Sequence, residues 1–162
     1  MKLCCMAKKE LFRNDPFSRK LIKSAGMVPV DRGGMNSSSM ENIKKRLKEN
    51  WGVIIHPEGT RSEDGVFRKI KNGASTLAIE TGAPIIPAYV DGAYNIFPKS
   101  GKMPKFYDWK HHKKFRLSVT FGKPISPDGL TTEELTAEIE RAISVLQDEN
   151  STLPQFQSHR AE

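Results

Sequence analysis

The sequence predicts an α/β fold with a mostly parallel central sheet flanked by helices. Its 162 residues are enough for one domain with a buried core. An apolar run at residues 51–55, a helical segment at 72–82 and a second buried strand at 85–90 follow one another, and this order is typical of parallel sheets. Because no linker interrupts the chain, we predict a single domain over residues 1–148 and a polar flexible tail over 149–162.

The first part of the chain is predicted to contain a helix and a short strand. Asp15 and Pro16 have the order of a helix cap and a first helical residue, and Gly26 is predicted to end that helix. Residues 27–30 are predicted to form a short strand that is followed directly by Asp31 and Arg32.

A further helix is predicted immediately before the run at 51–55. Ser38 and Glu41 have the spacing of a capping box. The apolar side chains that follow recur at helical spacing over about three turns, at Met40, Ile43 and Leu47.

The last third of the chain is predicted to add a half-exposed strand and a long helix. Residues 115–121 alternate between apolar and polar side chains, as a strand with one solvated face does. Thr131 and Glu134 form a second capping box. The helix that they open carries one continuous apolar face, made of Leu135, Ile139, Ala142, Ile143 and Leu146.

Composition narrows the class of partner and the compartment. The 26 Lys+Arg against 19 Asp+Glu give a net charge of +7, which favours nucleic acid, anionic lipid or a phosphorylated small molecule without choosing among them. The longest apolar run, residues 83–90, is far shorter than the roughly 20 residues of a membrane span. Adjacent Cys4 and Cys5 have the wrong geometry for a mutual disulfide, so we predict free, inert thiols in a reducing compartment.

A polar loop at residues 56–62 has the composition of a phosphate site. It follows a predicted strand, where ligands bind in open α/β sheets. Gly59 would let backbone amides approach an anion, and Arg61 offers a planar fork for two phosphate oxygens. Thr60 and Ser62 can donate further hydrogen bonds.

Two more residues are candidates for the same site. Glu58 could orient Arg61 or a substrate hydroxyl. Arg32 also follows a strand, and it would add a second guanidinium to the site if the two strands are neighbours. Two arginines could then hold one phosphate dianion, although most exposed arginines are only solvated or salt-bridged.

Several blocks of the chain resemble the glycerolipid acyltransferases, the 1-acylglycerol-3-phosphate (lysophosphatidate) acyltransferase group. Residues 57–62, Pro-Glu-Gly-Thr-Arg-Ser, are similar to the signature block of that family. Further similar blocks occur in family order, at residues 7–12, 26–32, 69–74 and 84–88. The resemblance covers about residues 7–125, and several ordered blocks are far more specific than one.

The resemblance implies a glycerol-3-phosphate acyltransferase-like fold and acyl transfer to the free hydroxyl of a lysophosphatidate-like acceptor. The acyl donor would be acyl-CoA or acyl carrier protein, with no cofactor or metal. By the matching blocks, Arg32 and Arg61 would bind the acceptor phosphate. The acceptor pocket would be formed by Glu58, Gly59, Thr60 and Ser62. The implied location is cytoplasmic, at the inner face of an anionic membrane.

The chain departs from the family at the catalytic base. The family places a histidine, followed five residues later by an aspartate, upstream of the block that matches residues 7–12. None of the four histidines here has an aspartate at that spacing: His56, His111, His112 and His159. We therefore expect a family member that is truncated at its N-terminus and nearly inactive alone. The alternative is a non-catalytic binding module or pseudoenzyme for anionic phospholipid headgroups.

A basic and aromatic segment at residues 99–116 is compatible with two interpretations. It holds seven Lys+Arg and one acid, Asp108, with four aromatic side chains interleaved. This mixture suits an anionic lipid surface, and a solvated loop fits it equally well. It accompanies no RNA- or DNA-binding module, so we predict no nucleic-acid partner. Adjacent His111 and His112 lack further ligands at metal spacing.

Overall fold

The computed structural model describes residues 2–8, 26–30, 37–65, 67–101 and 103–150. The predicted helix at Asp15 and Pro16, the candidate residue Arg32 and residues 151–162 lie outside these ranges. Within them the chain has the mixed helix and sheet architecture of an α/β fold, as predicted.

Three strands form the parallel sheet. They are β1 (Lys2–Lys8), β2 (Val28–Val30) and β3 (Trp51–Ile54), in the order β2-β1-β3. Met6 is paired with Val28 and Cys5 with Ile54, so β2 lies beside the end of β1 and β3 beside its start. The central strand β1 is absent from the sequence prediction, because its Cys-Cys-Met centre lacks the β-branched residues that indicate a strand.

The strand order corrects one expectation about the arginines. Strands β2 and β3, which precede Arg32 and Arg61, are not neighbours, since β1 separates them. Both run parallel to β1, so their carboxyl ends point toward the same edge of the sheet. Two inter-strand spacings amount to about 10 Å across the sheet, and β2 ends three residues, or about 10 Å, further along β1 than β3 does.

Helices α1 (Ser37–Lys48) and α2 (Gly73–Thr81) follow the predicted pattern with one correction. Helix α1 begins one residue before Ser38, so Ser38 lies inside the helix and is not its cap. Glu41 instead accepts a hydrogen bond from Lys44 Nζ at 2.8 Å. Gly82 ends α2 in the left-handed conformation, with φ 69°, as predicted.

The second half of the chain forms two separate two-stranded antiparallel sheets, so the strand predicted at 85–90 does not join the parallel sheet and is not buried as predicted. Strands β4 (Ala88–Asp91) and β7 (Ser118–Phe121) pair with each other, and Ile85 makes only an isolated bridge to Ile125. The predicted strand at 85–90 starts late because Pro87 has no N–H for a ladder. Between β4 and β7 lie α3 (Ala93–Ile96) and a short hairpin of β5 (Tyr107–Asp108) with β6 (Lys113–Lys114).

The last helix, α4 (Thr132–Asn150), has the predicted capping box. The backbone N–H of Thr131 donates to Glu134 Oε2 at 2.8 Å, and the backbone N–H of Glu134 donates to Thr131 Oγ1 at 3.2 Å. Two backbone N–H groups at the start of α4, those of Thr131 and Glu134, therefore donate to side-chain oxygens.

Two clusters of buried side chains hold these elements together. One joins α2 and α4 to residues before α2 and between the two helices, through Ile70, Ala78, Ile125, Leu135, Ile139 and Ile143. The other joins the parallel sheet to α1 and α2, through Cys4, Val28, Ile43 and Leu77. A buried hydrogen bond of 2.7 Å between Ser75 and Thr136 also links α2 to α4. Across the described residues, every helix is too short or too polar to cross a bilayer.

Acid should weaken the start of α4. The hydrogen bond from the Thr131 backbone N–H lowers the pKa of Glu134 below its usual 4.5. A depressed carboxyl pKa contributes stability that is complete above the unfolded pKa and is lost as the pH falls through the folded pKa. Glu134→Gln keeps a side-chain acceptor but cannot titrate. Chemical unfolding below pH 4.5 should therefore show a steeper loss for the wild type than for Glu134→Gln; equal slopes would contradict the cap assignment.

Candidate functional site

A tight turn carries the chain away from the carboxyl end of β3. The backbone N–H of Gly59 donates to the carbonyl oxygen of His56 at 3.0 Å, and Gly59 has φ 73°, which favours glycine. The backbone N–H of Lys71 donates to the carbonyl oxygen of Pro57 at 2.9 Å. The loop at residues 56–62 therefore lies at the edge of the sheet where the sequence predicts it.

Glu58 braces this loop. Its Oε2 accepts a hydrogen bond from the backbone N–H of Arg68 at 3.0 Å, ten residues further along the chain. Partial burial raises the pKa of the Glu58 carboxyl, and the hydrogen bond from Arg68 opposes that effect. The observed partner of the Glu58 carboxylate is thus the backbone of Arg68, and the orientation of Arg61 or of a substrate hydroxyl by Glu58 stays a prediction.

The two hydroxyl side chains of the loop differ in their contacts. Ser62 Oγ donates to Asp64 Oδ1 at 2.9 Å and accepts from the backbone N–H of Gly65 at 2.8 Å. Ser62 therefore shapes the turn that follows the motif. Thr60 is exposed, and its Oγ1 donates at a long distance of 3.5 Å to the carbonyl oxygen of Arg61.

Arg61 extends from the loop onto the segment that follows α3. Its Nη1 donates to the carbonyl oxygens of Phe97 (3.4 Å) and Pro98 (3.1 Å), and its Nη2 donates to that of Lys99 at 3.5 Å. The guanidinium carbon also lies 4.1 Å from the centroid of the Phe97 ring. These contacts fix the plane and direction of the guanidinium.

The same contacts leave part of Arg61 available. A guanidinium has five N–H donors, and the three carbonyl contacts use only Nη1 and one N–H of Nη2. The Nε–H and the second N–H of Nη2 form the other edge of the group, which is the edge that binds two oxygens of one phosphate. Arg61 is therefore held in place by one edge while the other can meet a ligand.

Two further contacts join the loop to the same segment. Lys99 Nζ lies 2.5 Å from Glu63 Oε1, and the hydrogen bond from Lys99 lowers the pKa of that carboxyl. The hydroxyl of Tyr94 donates to the carbonyl oxygen of Glu63 at 3.0 Å. Sequence reasoning did not find these residues, because partners more than 30 residues apart with no shared motif carry no signal in a single sequence.

The remaining candidates do not form another chemical site among the described residues. Cys4 and Cys5 are free thiols, and burial raises the pKa of both, as expected for inert side chains. His111 Nδ1 lies 2.7 Å from Asp108 Oδ2 on the β5–β6 hairpin, away from any further ligand. No group of His, Cys, Asp or Glu within the described ranges has the geometry to hold a metal ion.

Comparisons with known proteins agree with the resemblance seen in the motifs. A family model described as Acyltransferase matches residues 1–91. The 1-acyl-sn-glycerol-3-phosphate acyltransferase of Bacillus subtilis is 37% identical over 120 residues, which cover 74% of this chain and 53% of the relative. The protein of the same name from Borreliella burgdorferi is 32% identical over 97 residues, which cover 59% of this chain and 38% of the relative.

A solved structure supports the fold. The crystal structure of the 1-acyl-sn-glycerophosphate acyltransferase PlsC from Thermotoga maritima matches with a TM-score of 0.68 and 25% identity, covering 90% of this chain and 56% of that one. The chain thus spans about half the length of the Bacillus subtilis and Thermotoga maritima proteins. On these matches and the motifs of the loop at 56–62, the chain belongs to the acyltransferase family of glycerolipid enzymes.

Proposed function

We propose that this chain supplies the acceptor-binding part of an O-acyltransferase that acylates 1-acylglycerol-3-phosphate. The observation that carries the proposal is the half-bound guanidinium of Arg61, which lies in the family's signature loop at the carboxyl edge of a parallel sheet. The acyl donor is acyl-CoA or acyl carrier protein, and the reaction takes place at the cytoplasmic face of an anionic membrane.

Arg61 would hold the acceptor through its phosphate. A phosphate group accepts two parallel hydrogen bonds from the Nε and Nη2 edge, while the carbonyl oxygens of Phe97 and Pro98 keep the opposite edge fixed. Because the side chain is ordered before the ligand arrives, binding loses less conformational freedom. We propose that Arg32, which follows β2 by two residues in the sequence, binds the same dianion.

The acceptor loop would position the hydroxyl for attack. The acceptor oxygen attacks the thioester carbonyl carbon, the C–S bond breaks, and the thiol leaves with a proton. A general base must take the hydroxyl proton as the C–O bond forms. The residues described here would contribute positioning, since the Glu58 brace and the Gly59 turn fix the loop against the sheet.

Replacing Arg61 should weaken acceptor binding strongly. Arg61→Ala removes the charged fork, and Arg61→Lys keeps the charge but loses both the bidentate geometry and the stacking on Phe97. A hydrogen bond to a charged group is worth about 1.5–3 kcal/mol, which is roughly a 10- to 100-fold loss of affinity. Calorimetric titration with a short-chain, monomeric lysophosphatidate should show this loss for both variants.

Arg68→Ala is the matched control for that titration. Its side chain is exposed, follows the loop by six residues and pairs only weakly with Asp64 at 3.5 Å, while Glu58 contacts its backbone. We expect unchanged affinity for this variant. Equal losses for Arg61→Ala and Arg68→Ala would show that general loop charge, and not the Arg61 fork, attracts the ligand.

A non-catalytic module for phospholipid headgroups is the second candidate. It is favoured by the absence of a His-x4-Asp pair anywhere in the sequence of residues 1–162. Both candidates predict Arg61-dependent binding, and they differ in turnover. Product formation that increases with acyl-CoA concentration would exclude the non-catalytic module.

A further inference from the structure

The segment at residues 97–99 that Arg61 contacts leads into the β5–β6 hairpin. Tyr107 pairs with Lys114 and Asp108 with Lys113, and the backbone N–H of Phe115 donates to the carbonyl oxygen of Phe106 at 3.1 Å. The backbone N–H of Lys105 donates to the carbonyl oxygen of Ile96 in α3 at 2.7 Å. The hairpin is therefore attached to the domain at its base. We call the outer side of residues 103–116 the hairpin surface.

Large apolar side chains on the hairpin surface face solvent. Trp109 is 80% exposed, Met103 75% and Phe106 68%, and none of them belongs to either buried cluster. The Tyr107 and Trp109 rings contact each other edge to face, with centroids 4.7 Å apart. Exposed apolar side chains that lie close together mark an interaction site more often than scattered ones do.

The charge on the hairpin surface has one sign. Lysine side chains surround the aromatic residues and are all exposed, at Lys105, Lys110, Lys113 and Lys114. The only acid of the segment, Asp108, is occupied by His111 Nδ1 at 2.7 Å and by the backbone N–H groups of Lys110 and His111. These contacts leave the lysines to dominate the field around Trp109.

We propose that the hairpin surface docks the protein onto an anionic lipid bilayer. Tryptophan prefers the membrane interface because its ring is apolar and its N–H is polar, and lysines beside it attract anionic headgroups. The choice of a lipid surface over other polyanions rests on the proposed function, whose substrate is a lipid. The contact is peripheral, with the Trp109 and Phe106 rings at the headgroup level.

Contact between the hairpin surface and a bilayer would also position the Arg61 loop, because the hairpin is close in the chain to the residues that bind Arg61. Arg61 is hydrogen-bonded to the carbonyl oxygens of residues 97–99, and the hairpin surface starts four residues later. Docking of this surface would therefore hold the Arg61 loop near the layer in which a lysophospholipid phosphate resides.

Vesicle flotation of the full chain tests the proposal. We expect binding to vesicles of equal parts phosphatidylcholine and phosphatidylglycerol, and at least about tenfold weaker partitioning to phosphatidylcholine alone. The double variant Phe106→Ser, Trp109→Ser should lose at least about tenfold in partitioning to the mixed vesicles. Lys110→Glu with Lys113→Glu should lose as much, and added salt should weaken wild-type binding.

Phe121→Ser is the matched control, because Phe121 is a 69% exposed aromatic residue on β7, outside the hairpin. It should partition like the wild type. Equal loss in this control, equal binding to both kinds of vesicle, or displacement of the protein from mixed vesicles by single-stranded DNA at equal phosphate concentration would each overturn the proposal.

The two proposals fail separately. The hairpin variants should retain wild-type affinity for monomeric lysophosphatidate, whereas the Arg61 variants should retain vesicle binding. If Arg61→Ala loses the monomer and the hairpin variants keep vesicle binding, the docking proposal alone is wrong. If the hairpin variants lose vesicles and Arg61→Ala keeps the monomer, the proposed acceptor site alone is wrong.

Discussion

A polypeptide of residues 1–162, assayed with lysophosphatidate and acyl-CoA, should transfer acyl groups roughly 10²- to 10⁴-fold more slowly than the complete Bacillus subtilis relative. The acceptor hydroxyl must lose its proton as its oxygen attacks, and the resemblance assigns that step to a histidine oriented by an aspartate five residues later. No such pair occurs among these residues. Positioning by the Arg61 loop alone would then give only a residual rate.

The control for this assay concerns the His–Asp pair that does occur. Asp108 precedes His111, and the pair lies on the exposed hairpin with a 2.7 Å contact. His111→Ala should leave the residual rate with a soluble acceptor unchanged. Turnover comparable to that of the complete relative would contradict the prediction. A residual rate that disappears in His111→Ala would identify this pair as the base and would equally contradict it.

Leu135→Ala should lower the free energy of unfolding by about 2–5 kcal/mol. Leu135 is fully buried in the first turn of α4, where it packs with Ile70, Ala78 and Ile125. Truncation removes apolar contact and leaves a cavity that rigid neighbours on α2 and α4 fill poorly. Since small domains have only about 5–15 kcal/mol of stability, this single change should lower the midpoint of urea unfolding substantially.

Val145→Ala on the same helix is the matched comparison. Val145 is 49% exposed, so its truncation removes little buried area, and alanine is the better helix former. We expect a change within about 0.5 kcal/mol. Similar losses for the two variants would show that α4 does not cover the core as described.

The sequence predicted those helix ends and caps that depend on residues a few positions apart. The Thr131–Glu134 capping box and the Gly82 helix end follow from short-range chemistry, and both are confirmed. The Ser38 cap is wrong, because the helix begins at Ser37 with three consecutive serines and spacing alone does not show where among them it starts. Strand β1 is the larger omission, since its burial comes from strands on both sides and not from its own pattern.

In the candidate site, too, local features were predictable from the sequence and long-range contacts were not. The position of the loop at 56–62 was predicted from a strand that ends in polar residues. The family was predicted from the sequence motif. The carbonyl contacts of Arg61 and the Glu58 contact with Arg68 depend on how distant segments pack. A single sequence holds no information on such pairs. The roles of Arg61 and Arg32 in phosphate binding stay predictions.

A double-mutant cycle on Arg32 and Arg61, with lysophosphatidate affinity as the readout, tests the central claim most directly. If both guanidinium groups hold one phosphate across β1, each single alanine variant should weaken binding. The loss in the double variant should then differ from the sum of the single losses by about 0.5–3 kcal/mol. Losses that add within about 0.5 kcal/mol, or no loss for Arg61→Ala, would contradict a shared phosphate site at this edge of the sheet.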